Sequence, residues 1–211
     1  MYLTELAPHR VVAAKAAYTT RRVDLGAHRR LALVTGIDVV PRTGDLVLAR
    51  VGEIGQHERV ELATGRRAAL YTGDEVIVAY GGRYAPDQFE ADVPPDLSGC
   101  QLVAGGGLAA RVVNAHLDME EATELTPAGL IADSTGRVIN VKDGAIPSRG
   151  SGSRRPLTLV VAGTSMNSGK TTTVAAIAHG LTAAGRRTSL LGWVIQEREH
   201  GGDSPVHRLL G

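Results

Sequence analysis

An apolar run, a turn of small residues and a helical pattern follow one another between residues 157 and 184, and few folds accommodate that order. The run covers residues 157–162, the turn ends at Gly169, and Lys170 and Thr171 open the helical pattern. A buried strand positions such a loop, its backbone N–H groups face outward, and the helix N-terminus adds partial positive charge. The segment therefore predicts a phosphate-binding loop. In it Lys170 reaches the β- and γ-phosphates, and the Thr171 hydroxyl binds Mg²⁺.

The position of the first glycine defines a variant of this loop. The common pattern places that glycine at position 164, which is Thr164 here, and the glycine stands at Gly163 instead. The resulting Gly-Thr-x-x-x-x-Gly-Lys-Thr resembles the loops of dethiobiotin synthetase and of the cobyrinic acid synthase group, both ATP-using P-loop enzymes, over about residues 157–191. It also resembles loops of several poorly characterised P-loop families. The alternative is a chance Gly-Lys-Thr in an ordinary strand–turn–helix.

The resemblance implies ATP or GTP as ligand, with Mg²⁺ held by Thr171. Backbone N–H groups from Ser165 to Lys170 are expected to surround the phosphates. The expected nucleotide-binding residues are Gly163, Thr164, Ser165, Met166, Asn167, Ser168, Gly169, Lys170, Thr171 and Thr172.

The pattern after the loop predicts one right-handed βαβ unit. Residues 171–184 read as a helix ended by Gly185, and residues 189–195 as a second buried strand. The apolar face of the helix is expected at Val174, Ile177, Ala178 and Leu181.

The P-loop domain is expected to be incomplete, over residues 157–196, and a polar tail follows at 197–211. A nucleoside triphosphatase needs further strands and an acidic strand end that organises Mg²⁺ and water. Three explanations are open: a truncated chain, a reading frame altered after the second strand, or a partner or second copy that completes the sheet. The first two are favoured. A metal site at His200, Asp203 and His207 is less favoured than a disordered tail.

Residues 1–147 show short apolar runs with turn residues at intervals of roughly 8–12 residues, which is typical of an antiparallel barrel or sandwich. The runs cover residues 31–34, 45–51, 59–62, 68–71, 75–80, 101–104, 111–113, 129–132 and 137–141. Residues 148–156 read as a flexible linker. The predicted fold class is therefore mixed, an N-terminal antiparallel β domain plus an incomplete P-loop α/β (βαβ) segment.

Other polar clusters in the β domain favour structural roles. Residues 83–90 are expected to form a loop in which Tyr84 and Phe89 cover one end of the barrel. The triple glycine at 105–107 indicates a tight turn or bulge more than an anion site. The residues Asn114, His116, Asp118, Glu120 and Glu121 lack metal-ligand spacing, so an exposed acidic loop is expected.

The composition of the chain limits the classes of function that are expected. The net charge is +1, and the basic cluster at Arg21, Arg22, Arg29 and Arg30 has no interleaved aromatic residues, which argues against nucleic acid as a partner. The single cysteine, Cys100, is expected to be a buried, inert thiol in a reducing compartment. No signal peptide or membrane-spanning run is apparent, so a cytoplasmic protein is expected.

Two functions remain open at this level. The first is nucleoside triphosphate binding, as the N-terminal part of an NTP-dependent enzyme. The second is a binding or assembly module built on the β domain, with a vestigial P-loop and no catalysis.

Overall fold

The computed structural model describes residues 1–85, 87–147, 157–163 and 168–188. The chain divides into two compact units, Met1–Gly150 and Ser151–Gly211. The first unit is mostly β, and the described part of the second contains one helix.

The first unit contains twelve described strands, two of which have only two residues. They are β1 Tyr2–Leu6, β2 Lys15–Ala16, β3 Leu31–Thr35, β4 Leu46–Val51, β5 Arg59–Glu61, β6 Arg67–Ala69, β7 Glu75–Tyr80, β8 Arg83–Tyr84, β9 Phe89–Asp92, β10 Cys100–Ala104, β11 Leu108–Ala115 and β12 Thr123–Asp133. Its helices are short: α1, Pro8–Ala13, and 3₁₀ turns at Tyr18–Thr20, Leu25–Ala27 and Val141–Gly144.

Five strands close into a barrel in the order β4-β7-β11-β10-β12 and back to β4. Four of the five pairings are antiparallel, and β7 with β11 is parallel. The remaining strands extend the ring. β3 and then β1 continue from β12, β9 and β8 continue from β11, and β2 lies parallel to β7. The hairpin of β5 and β6 forms a separate two-stranded sheet.

The central strands are apolar on both faces, which explains their near-continuous apolar sequences. In β4, Val47 and Ala49 belong to one buried cluster, whereas Leu46 and Leu48 belong to another. The first cluster draws on all five ring strands and fills the barrel interior. The second lies between the outer face of β4 and β7 and the segments that cover it, including β1 and β3. Each face must be covered because leaving a large aliphatic side chain exposed forgoes about 1.5–3 kcal/mol.

Strand β12 bends where proline interrupts it. Its pairing register with β4 shifts between Pro127 and Gly129, as expected for a bulge, where proline is tolerated within a sheet. The strand pairs with β10 at its start and with β3 at its end. One strand therefore both closes the ring and carries the sheet beyond it.

The buried thiol prediction is confirmed. Cys100 is buried inside the barrel beside Tyr80, and burial raises the pKa of its thiol to about 12. Because the thiolate is the reactive form, this cysteine is chemically inert in the folded protein.

Two ion pairs tie the N-terminal segment to the start of β7. The Arg10 guanidinium donates to the Glu75 carboxylate, and the Lys15 ammonium donates to Asp74. The hydrogen bonds from Arg10 hold the pKa of Glu75 below its ordinary value, and burial opposes this only in part. The covering segment is thus pinned by charge as well as by its apolar side chains.

The Glu75 carboxylate makes stability depend on pH. Because its pKa is lower folded than unfolded, its contribution is present above pH 4.5 and is lost as the pH falls through the folded value. We expect Glu75→Gln to lower the free energy of unfolding by about 1 kcal/mol at neutral pH and by less near pH 3. Urea unfolding at the two pH values measures the difference. Glu53→Gln, an exposed site, is the control. An equal loss at both pH values would contradict the assignment.

Most of the predicted strands of the β domain are confirmed, including residues 75–80 with both ends correct. The predicted strand at 137–141 is wrong. Val138 and Asn140 make only isolated bridges, and Val141 begins a 3₁₀ turn capped by the Asn140 side chain, because that side chain accepts from the Lys142 N–H. The predicted loop at 83–90 is also wrong, since it contains strand β8 and the start of β9.

The predicted cover of Tyr84 and Phe89 is half right. Phe89 is 1% exposed and packs with Ala91, Val103 and Ala110, whereas Tyr84 is 51% exposed. Successive side chains of a strand point to opposite faces, and of these two only Phe89 lies on the face that packs against the core. The four arginines of the N-terminal basic cluster are exposed, as expected for a solvated face.

In the second unit the predicted helix is present. Helix α2 covers Lys170–Ala183 and ends in a Schellman motif, with the Gly185 N–H on the Thr182 carbonyl and the Arg186 N–H on the Leu181 carbonyl. None of its residues is fully buried, and along the predicted apolar face Val174, Ala178 and Leu181 are half-buried. Neither described helix has the length and hydropathy needed to cross a membrane.

The predicted buried strand at 157–162 is not formed. Residues 157–163 make no strand pairing, and Leu157 and Val160 are 91% and 84% exposed. A strand exists only with a partner for its backbone groups, and the described residues of the second unit provide none. The predicted second strand at 189–195, the linker at 148–156 and the tail at 197–211 lie outside the described residues.

Candidate functional site

The phosphate-loop segment is described at both of its ends. Gly163 stands at one end, and the other end runs from Ser168 through the first turn of α2. Thr164, Ser165, Met166 and Asn167 lie outside the described residues. The geometry of the loop is therefore read from the residues that enter and leave it.

Gly169 starts the helix in a conformation that favours glycine. Its backbone has φ 77° and ψ 8°, in the left-handed region, and Lys170 is the first helical residue. The reversal at Gly169 places Lys170 in the first turn, so its side chain begins beside the N–H groups of the helix start, which have no carbonyl partner within the helix. The Lys170 ammonium donates to the Ser168 hydroxyl at 3.1 Å.

Gly163 and the helix start are in close contact. A Cβ atom at Gly163 would lie 2.2 Å from the Ser168 hydroxyl oxygen and 2.9 Å from Cγ of Lys170. A side chain at position 163 would therefore require the Ser168 and Lys170 side chains to shift. The two described ends of the loop lie close together.

The first turn of α2 is electropositive. It has no acidic residue and no side-chain cap, so its leading N–H groups have no carboxylate or hydroxyl partner at the cap position. Thr173 donates its N–H and its hydroxyl to the Gly169 carbonyl, at 2.9 and 3.1 Å. Thr171 and Thr172 are exposed in the same turn. Such a terminus suits a phosphate, and an exposed hydroxyl next to the lysine suits Mg²⁺.

The acidic cluster of the β domain behaves as an exposed loop. All five of its predicted residues are exposed, and His116 pairs with Asp118 at 3.6 Å. In the described part of the chain, no three His, Cys, Asp or Glu residues are grouped so as to hold a metal. The expectation of an exposed acidic loop is confirmed for residues 116–121, whereas Asn114 lies in strand β11.

A second concave feature, which the sequence patterns did not single out, lies in the β unit. It is a polar groove of about 720 Å³ between the β5–β6 hairpin, the β8–β9 hairpin and the turn at Gly105 and Gly106. His57 is half-buried there, and its ring lies 5.9 Å from that of Phe89. Burial, followed by the nearby Arg83 charge, lowers the pKa of His57, so the imidazole is neutral at pH 7. Its signals in the sequence were the alternation of Arg59 and Glu61 about the buried Val60 and the triple glycine at 105–107, which indicates a turn more than an anion site.

Comparisons with protein-family profiles, with curated proteins and with solved structures found no match for this chain. Both candidate sites therefore rest on the geometry and chemistry of the residues themselves.

Proposed function

We propose that residues 163–172 bind the phosphates of a nucleoside triphosphate, ATP or GTP, together with Mg²⁺. The main-chain N–H groups of the loop and of the first turn of α2 donate to the phosphate oxygens. Lys170 neutralises phosphate charge, and the Thr171 hydroxyl is the protein's ligand to Mg²⁺.

One observation carries this proposal: the left-handed Gly169 sets Lys170 at the head of an uncapped, acid-free helix whose start packs directly on Gly163. The residues fit a phosphate in charge, in donor groups and in the closeness of the backbone. A carboxylate in the first turn or a bulky residue at 163 would have argued against it.

Binding is proposed, and turnover by this chain is not. Phosphoryl transfer depends on several groups positioned together around the reacting phosphate, including one that orients the nucleophile. The described residues of the second unit, 157–163 and 168–188, contain no Asp or Glu that could take that role. The proposed activity is therefore nucleotide capture.

The number of phosphates tests the proposal directly. We expect calorimetric titration with Mg²⁺ to give the affinity order ATP above ADP and ADP well above AMP. From ATP to AMP the decrease should be at least about tenfold, because charge-assisted contacts are lost with each phosphate. ATP and GTP are compared in the same series, and EDTA should weaken the triphosphate most. If AMP bound as tightly as ATP, the site would be reading the base or the sugar, and the phosphate-loop proposal would fail.

A further inference from the structure

The polar groove of the β unit has one wall made by the β5–β6 hairpin. Val60 is buried in the barrel cluster, so its neighbours Arg59 and Glu61 lie on the opposite face of the hairpin. Glu61 pairs in register with Arg67 on β6, which puts both side chains on that same face. The Glu61 N–H also donates to the Gly105 carbonyl at 2.7 Å, which ties this wall to the floor.

The opposite wall is a fixed arginine. Arg83 is half-buried and donates to the Val103 carbonyl and to the Gln88 side chain, so its guanidinium is held in place by two neutral acceptors. Burial lowers the pKa of the Arg83 guanidinium below its ordinary value, and the nearby Asp87 charge opposes this in part, so the group remains charged at neutral pH. The charge of Arg83 is therefore shared with a neighbouring carboxylate.

The floor of the groove is formed by main-chain atoms. At Gly106, a Cβ atom would meet nothing within 4 Å, so the surface of the groove is open there. Nδ1 of His57 is buried without a hydrogen-bond partner among the described residues. The exposed backbone of Gly106 and the neutral ring of His57 make this part of the groove polar and uncharged. The charged side chains lie on the other parts of its lining.

Six charged side chains line the groove, three of each sign. They are Arg59, Arg67, Arg83, Glu58, Glu61 and Glu120. Among the described residues, no ion pair joins two of these six side chains. Two arginines, Arg59 and Arg67, and the three glutamates therefore leave both signs available to a ligand.

We infer that this groove binds a small zwitterion of the peptide class, a molecule that carries an ammonium group at one end and a carboxylate at the other. The arginines receive the carboxylate, and the glutamates receive the ammonium. A polyanion such as a nucleotide would meet the three glutamates, and an apolar ligand would desolvate six charges without compensation. The volume lies in the range of small-molecule sites. The inference is independent of nucleotide binding, since it uses residues of the other unit only.

The test compares three probes that differ in one charge. Triglycine carries both charges at pH 7, N-acetyl-triglycine lacks the cation, and triglycine amide lacks the anion. We expect triglycine to shift the Gly105 amide resonance in ¹⁵N–¹H spectra, with half-saturation at about 1 mM or below, and each capped probe to bind about tenfold more weakly. Equal binding of either capped probe would overturn the inference, and so would the absence of any shift up to about 10 mM.

Two variants locate the binding. Gly106→Val adds a side chain in open space at the floor and should abolish the triglycine shifts, whereas Gly180→Ala, also in open space but on α2, should leave them unchanged. Arg67→Gln should weaken triglycine by about fivefold and leave triglycine amide unaffected, because only triglycine presents a carboxylate. Triglycine binding that survives Gly106→Val would overturn the inference. Mg-ATP titration of the same variants reports on the other unit and separates the two proposals.

Discussion

Replacing Lys170 with alanine is expected to weaken Mg-ATP binding by about a hundredfold, which corresponds to about 2.7 kcal/mol. The lysine begins the helix beside Gly169 and Ser168, where its ammonium adds a full charge to the partial charge of the helix start. Hydrogen bonds between two charged groups contribute about 1.5–3 kcal/mol each, so one lost lysine accounts for most of this decrease. Calorimetric titration of both proteins with Mg-ATP measures it.

The matched control removes a charge at the other end of the same helix. Arg186→Ala deletes an exposed guanidinium while keeping the backbone N–H that closes the Schellman motif, so ATP affinity should change by less than about twofold. Alanine favours helix, so neither substitution should reduce the helical signal in circular dichroism. Unchanged affinity in Lys170→Ala would remove the lysine from the site. An equal loss in both variants would indicate nonspecific attraction by charge.

Gly107→Ala is expected to destabilise the β unit by about 4 kcal/mol, combining backbone strain with overpacking. Gly107 has φ 95°, and a Cβ atom there would lie 2.0 Å from Cβ of Ala17, which is fully buried. The surrounding backbone has little freedom to yield. Gly107 accepts hydrogen bonds from the Thr19 hydroxyl and the Ala79 N–H, and its own N–H donates to Ala104.

A substitution at Gly73 distinguishes backbone strain from overpacking. It has nearly the same φ, 93°, but a Cβ atom there would meet nothing within 4 Å. Gly73→Ala therefore carries the backbone strain alone, about 1–2 kcal/mol. Removing the opposing methyl group in Gly107→Ala/Ala17→Gly should recover part of the difference. Urea unfolding followed by circular dichroism gives the free energies of unfolding of the unsubstituted protein and of the three variants. Similar values for Gly73→Ala and Gly107→Ala would show that the barrel accommodates the extra methyl group.

The strands were predictable where apolar runs stood between turn residues. Residues 31–34, 45–51 and 75–80 satisfy both conditions, and β3, β4 and β7 are found there. Which strands pair, and in which direction, was not predictable from these runs. An antiparallel arrangement was expected throughout, yet β7 lies parallel to β11 and to β2, since neighbours in a closed ring are set by the packing of the whole unit. The short strands β8 and β9 were not predicted for a related reason, because such short sequences form strands only through their partners.

The two sites differed in how much the sequence could reveal. The proposed phosphate loop is local in sequence, and the start of α2 beside it could be predicted within one residue. The groove joins residues 57–67 with Arg83, Gln88 and the turn at 104–106, and nothing in the spacing of these segments indicates that they meet. A site formed by residues close in sequence can be recognised as a motif. A site formed by segments distant in sequence can be recognised only once the fold is known.

Of the strands that the structure describes, β12 is the last in sequence, and three other strands pair with it. β4, β10 and β3 all pair with it, so before Thr123 has been synthesised the growing chain carries three unpaired edges made largely of apolar residues. Open edges of this kind are templates for pairing with other chains. Until residues 123–133 have emerged from the ribosome, these three edges are open to such pairing.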